Sequence, residues 1–117
     1  MTPAARSILV FGIYLALLGA ALMLMPNLVL APFGFPPTSE VWLRVAGSLT
    51  VIIGWFFLVA AQHGTESFFT ATLFARAFLF LSLCAYVLFG LAPPQLILFG
   101  VVDLIGAAWT FIALLRR

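Results

Sequence analysis

Ser7-Ile-Leu-Val-Phe-Gly-Ile-Tyr-Leu-Ala-Leu-Leu-Gly-Ala-Ala-Leu-Met-Leu-Met25 runs without one charged residue and stops at Pro26-Asn27. About 20 apolar residues in helical form cross a hydrocarbon core of about 30 Å. The stretch has that length, and it lacks the period-two alternation expected of a barrel strand of about 9–11 residues. A helix is then the form that satisfies its backbone within lipid. Three further windows repeat the pattern: Val41 to Gln62 contains only Arg44, Ser67 to Leu91 only Arg76, and Pro94 to Leu115 only Asp103. Spans at about 7–25, 41–62, 67–91 and 94–115 leave too little chain for a separate soluble domain. The expectation is one all-α integral membrane domain over residues 1–117, a membrane-spanning four-helix bundle. Gly64-Thr65-Glu66 is a short link, and Pro93-Pro94 is expected to stop the third span and start the fourth. Short links make sequential helices antiparallel.

The first span also has features of a signal peptide, with Arg6 ahead of an apolar stretch and the small pair Ala20-Ala21. Its apolar core exceeds the roughly 7–15 residues of a signal h-region, and three spans follow, so a retained helix is expected.

Composition agrees with a lipid-solvated chain. Apolar residues make up 66% of the sequence and charged residues 7%, against about 45–50% and about 25% in soluble domains. Eight charges on 117 residues do not build a solvated surface, which excludes a water-soluble globule. The net charge of +2 comes from five scattered Arg and no Lys, which excludes a nucleic-acid surface. Cys84 is the only cysteine and His63 the only histidine, so neither an intramolecular disulfide nor a paired-His haem or metal site is expected. No Ser-His-acid set, carboxylate pair or Gly-rich phosphate loop is present, and no catalytic residue is expected. Ser48 and Ser82 are expected to bond to the carbonyl of the preceding turn.

Arginine placement sets the expected orientation. Arg6 lies ahead of the first span and Arg116-Arg117 follow the fourth, while the opposite links, Pro26 to Ser39 and Ala92-Pro93, carry no Arg or Lys. The positive-inside rule places both termini in the cytoplasm. Trp42 and Trp109 lie near span ends, where amphipathic rings favour the interface. The link from Pro26 to Pro37 is apolar but broken by four prolines, so no helix is expected there. It reads as an interfacial loop dipping Leu28, Leu30, Phe33 and Phe35 into the headgroup boundary, or as a lid over an opening between helices. Ser39 is the expected N-cap of the second span, with Glu40 in its first turn.

Small residues mark helix contacts: Gly12, Ala16 and Ala20 at four-residue spacing, then Gly47 with Gly54 and Gly100 with Ala107, each seven apart. They suit either contacts within the bundle or a homodimer. The three charges inside spans carry more information. Each costs about 2.5–3.5 kcal/mol near the bilayer centre on insertion scales, so such residues turn inward and find partners. Counting at about 1.5 Å per residue puts the Cα atoms of Arg76 and Asp103 roughly 6 Å apart in depth, with Arg44 roughly 8 Å to the outer side. Asp103 is thus bracketed by two arginines. Gly100, Ala107 and Thr110 share the face of Asp103; Ser48, Val51, Trp55 and Gln62 continue a stripe from Arg44; Thr72 and Leu83 continue one from Arg76. Ser48, Trp55, Tyr86 and Thr110 are the pocket-lining candidates beside the cluster Arg44, Arg76 and Asp103, with Tyr14 ranked alongside Tyr86 because a hydroxyl in lipid needs a partner. In one reading Asp103 pairs with one arginine to set helix register while Arg44 snorkels outward. In the other, the uncompensated guanidinium holds an anionic or carbonyl-bearing guest such as a lipid headgroup, a fatty acid or a quinone.

Arg44-Val-Ala-Gly47, Arg76 within the third span, and Phe99-Gly-Val-Val-Asp-Leu-Ile-Gly-Ala-Ala-Trp-Thr110, together with a proline-bearing first link, resemble small four-span bacterial membrane proteins of the DoxX-like and BphX-like kind. The resemblance implies a bacterial inner-membrane protein of the sort that accompanies respiratory quinol oxidation or aromatic degradation as an accessory subunit. It draws attention to Arg44, Arg76 and Asp103 without giving them a catalytic role. Two function classes follow. One is a non-catalytic accessory subunit or a lipid- or quinone-binding bundle, with membrane lipids and a homodimer or larger membrane complex as partners. The other is a small proton-coupled transporter or channel that uses Asp103.

Overall fold

The computed structural model describes residues 1–116, so Arg117 lies outside the described residues. The helices are α1 (Pro3–Leu24), α2 (Pro26–Leu30), α3 (Val41–His63), α4 (Glu66–Leu88) and α5 (Ile97–Leu115), with 3-10 turns at Ala31–Phe33 and Pro94–Leu96. No strand occurs among the described residues. Four helices, α1, α3, α4 and α5 with the turn before it, are long and apolar enough to cross a membrane. Large apolar side chains point outward, Trp42, Phe74 and Phe78 each being more than 70% exposed. That surface suits lipid rather than water.

The helix ends differ from the expected ones for local reasons. α1 begins a turn before the uncharged run, because Thr2 Oγ1 accepts from Ala5 N at 3.1 Å and Pro3 occupies the first helical position. Arg6 therefore lies in the first turn of α1, exposed, rather than ahead of the helix. α4 stops at Leu88, short of Leu91, and the stop is a glycine rather than the Pro93-Pro94 pair. Gly90 takes φ +73°, and the amides of Gly90 and Leu91 donate to the carbonyls of Val87 and Tyr86. The same wrap ends α3 at Gly64, with φ +61°.

The first link is not free of helix as expected. Pro26 opens the five-residue α2 and Pro32 lies within the following 3-10 turn, both near N-termini where a missing N–H costs nothing. Asn27 clasps the far end of the link, its Nδ2 donating to Thr38 O at 3.1 Å and its Oδ1 accepting from Thr38 N at 3.0 Å. Glu40, not Ser39, holds the cap position of α3, and Thr38 Oγ1 accepts from its amide at 3.2 Å.

α1 and α3 pair antiparallel at close range through glycines. A Cβ on Gly19 would lie 2.6 Å from Gly47 O, and one on Gly54 would lie 2.9 Å from both Gly12 O and Ala16 N. Gly12 and Ala16 thus contact α3 as the small-residue spacing suggests, with Gly19 rather than Ala20 as the third close approach. α5 packs on α4, where Gly100 meets the Phe80 ring and Leu83. The four long helices form a ring in the order α3, α1, α5, α4. Between the last and the first, α3 and α4 touch little, chiefly near their link, where Phe57 and Phe68 meet edge to face at 5.4 Å.

Both termini and the α3–α4 link lie at one end. The half of the bundle nearest them is packed solid with Ala5, Ile8, Phe57, Phe69 and Ala113. In the other half the helices part.

Candidate ligand cavity

The space between the parted helices is a cavity of about 450 Å3. Its walls are mostly aliphatic, with Leu18 and Leu22 from α1, Leu43 and Ile53 from α3, and Leu79 and Leu83 from α4, and with Thr50 of α3 as a polar exception whose hydroxyl donates to Ala46 O at 2.8 Å. Leu30 of α2, buried to 8% exposure, lines it together with Leu96 and Phe99. The first link is held over this end by Phe33 against Phe99, ring centroids 5.0 Å apart, and by Gln95 Nε2 donating to Gly34 O at 3.3 Å. Of the two readings of that link, its packing is that of a cover. Leu28 still projects outward at 72% exposure.

The floor is polar. Arg76, 4% exposed, reaches back along α4: Nε donates to Thr72 O at 3.2 Å, and Nη2 to Thr72 Oγ1 at 2.7 Å and to Thr110 Oγ1 at 3.1 Å. The hydroxyls pass the bonds on. Thr72 Oγ1 donates to Phe69 O at 2.7 Å. Ser7 Oγ gives its hydrogen to Ala4 O at 2.7 Å, so in the 2.8 Å contact with Thr110 the threonine is the donor. Phe11 and Phe57 cover the guanidinium, at 4.8 and 5.7 Å from Cζ to ring centroid. Arg76 Nη1 is buried and has no hydrogen-bond partner. It lies against Gly106, where a Cβ would be 3.2 Å away.

Asp103 sits three residues before Gly106 on the same helix face, 6% exposed, and lines the cavity with Arg76 and Tyr14. Its carboxylate has no hydrogen bond to any described residue, and none of the Arg76 bonds goes to it. The floor therefore holds a cation and a carboxylate that are near neighbours without being mutually satisfied.

Of the expected cluster, Arg76 and Asp103 come together and Arg44 does not. Arg44 is exposed and its Nη1 donates to Met23 O, one of the last carbonyls of α1. The face of α3 turned to α1 runs through Arg44, Gly47, Val51 and Gly54, because the glycines must meet α1. The stripe through Ser48 and Trp55 is displaced from it. Trp55 is 63% exposed, Tyr86 is 46% exposed, and Ser48 donates to Arg44 O at 3.2 Å; none of the three lines the cavity. Thr110 lies beneath the floor, fully buried. Tyr14 lines the cavity and Tyr86 does not. Phe11, Ser7 and Gly106 were not singled out by sequence. Nothing separates Phe11 from the other twelve Phe, although a four-residue shift from Asp103 to Ala107 passes over Gly106 on the same face. No group of three or more His, Cys, Asp or Glu suited to a metal occurs among the described residues. No protein-family model, curated protein or solved structure matches the chain.

Proposed function

We propose that this small integral membrane protein is a non-catalytic, lipophile-binding bundle of the bacterial inner membrane, of the DoxX-like kind, serving as an accessory subunit. Its guest lies with an apolar body in the leucine-walled cavity and a polar end on Arg76 and Asp103. One observation carries the reading: an apolar cavity is floored by two buried charged side chains, Arg76 and Asp103, that make no hydrogen bond to each other. A buried charged group without full hydrogen bonding is costly, and a guest whose polar end bonds to the part of the floor open to the cavity offsets that cost. Pockets of roughly 300–1,000 Å3, mostly apolar with a few convergent polar groups, are the usual form of a small-molecule site.

Native mass spectrometry of protein extracted from its membrane tests the proposal. The wild type is expected to carry a small lipophilic adduct that Arg76→Gln loses while remaining folded. A wild type free of any adduct across mild detergents sinks it.

The unpartnered Asp103 carboxylate favours a second reading, proton-coupled transport, since an intramembrane carboxylate open to a cavity is a common device for it. In proteoliposomes that reading requires flux driven by a pH gradient, abolished by Asp103→Asn without loss of fold. Absence of such flux in the wild type removes it.

A further inference from the structure

We infer that the guest is an uncharged lipophile whose polar end is a free hydroxyl, and that this hydroxyl donates to Asp103. The inference rests on the lipophile-binding reading above and names its ligand class. Every donor of Arg76 is either used or enclosed. Nε and Nη2 bond to Thr72 and Thr110, and Nη1 is sealed in beside Gly106 and under the Phe11 ring. The guest therefore meets no donor from Arg76. Asp103 is the reverse case. Among the described residues, Nη1 is the one unpartnered side-chain nitrogen or oxygen that is fully enclosed. The Asp103 oxygens, also unpartnered, thus keep open surface, and the residue lines the cavity. An ionised carboxylate only accepts, so the head that completes it must donate. An ester, an ether or a quinone carbonyl offers no such donor.

Charge and the remaining polar walls narrow the donor to a hydroxyl. Arg76 and Asp103 sum to zero, so an ammonium head would add a second cation near Arg76, and a carboxylate or phosphate head a second anion at Asp103. Tyr14 lines the same cavity, and its hydroxyl makes no hydrogen bond among the described residues. A guest hydroxyl that donates to Asp103 keeps lone pairs for such a donor, which an ammonium lacks. Thr50 already gives its hydrogen to Ala46 O. The apolar body follows from the walls. From Arg76 to Leu83 and from Asp103 to Leu96 the cavity extends seven residues along α4 and α5, roughly 10 Å at the rise of an α-helix. A longer chain leaves between α3 and α4, the pair of neighbours in the ring that touch little. That gap faces the hydrocarbon, so the guest comes from the bilayer and not from water.

A competition at equal mole fraction in dodecyldimethylamine oxide micelles, whose head has no hydroxyl, tests this, with bound species counted by native mass spectrometry. Three probes share one tail. Oleyl alcohol supplies a neutral donor, oleyl methyl ether the same oxygen without its hydrogen, and deuterated oleylamine a cationic donor. The wild type is expected to take up the alcohol over the ether by about tenfold or more, the loss of one hydrogen bond to a charged acceptor, and to take up the alcohol over the amine. In Asp103→Asn the amide both donates and accepts, so the alcohol-to-ether ratio is expected to fall towards one. A merely structural role for Asp103 would not move that ratio. Should Asp103→Asn not fold, the wild-type ranking decides alone. Comparable wild-type uptake of alcohol and ether, a wild-type preference for the amine, or an unchanged ratio in folded Asp103→Asn overturns the inference and leaves a lipophile-binding cavity standing. Uptake of none of the three overturns both.

Discussion

Arg76 is held in an apolar bundle by means other than a salt bridge. Two threonine hydroxyls and one carbonyl take its Nε and Nη2, and two phenyl faces cover its plane. Thr110→Val removes the hydroxyl that accepts from Nη2 and donates to Ser7. It is expected to lower stability by about 1–2 kcal/mol, measured by SDS-induced unfolding in mixed micelles. Gly106→Ala acts by volume. The added Cβ would fall 2.6 Å from the Phe11 ring and 3.2 Å from Nη1, so the ring must move off the guanidinium. A cost of about 1–3 kcal/mol is expected in the same assay, together with loss of the bound adduct.

At the scale of the elements, the α1–α3 pair is the rigid half of the ring. Gly19 and Gly47 meet backbone to backbone, where no side-chain rotation relieves a clash. Gly19→Ala is therefore expected to cost at least about 1–3 kcal/mol and to reduce cross-linking between cysteines placed on α1 and α3. Arg44 gives a contrasting result. Its guanidinium caps the end of α1 from an exposed position, so Arg44→Ala is expected to cost no more than about 1 kcal/mol and to leave the adduct in place. Loss of the adduct on Arg44→Ala would return Arg44 to the site. The clasp of Asn27 on Thr38, with Leu30 below it, ties the covering link to the cavity's far end.

For the whole molecule, the expectation is that the end with the termini and the α3–α4 link faces the cytoplasm, on the positive-inside rule applied to Arg6, Arg116 and Arg117. In a Cys84→Ser background, Ala92→Cys is expected to react with a membrane-impermeant maleimide on intact cells, and Thr65→Cys only after lysis. The reverse pattern inverts the topology and puts the cavity in the cytoplasmic half. Either way the bundle is polarised along its length, solid at one end and hollow at the other.

Four spans, their antiparallel order and the inward position of Arg76 and Asp103 were legible in the sequence. Their physical basis is local: run length against bilayer thickness, and the cost of a charge in lipid. The helix stop at Gly90 was hidden because an apolar run carries no sign of where a left-handed glycine interrupts it. Arg44 was misplaced for a different reason. Helical spacing gives which residues share a face but not which way that face turns, and the rotation of α3 is set by Gly47 and Gly54 closing on α1. The cavity itself is a product of tertiary structure alone. It exists because α1 pairs tightly with α3 and α4 with α5 while α3 and α4 splay, and a gap between helices belongs to no single segment of chain.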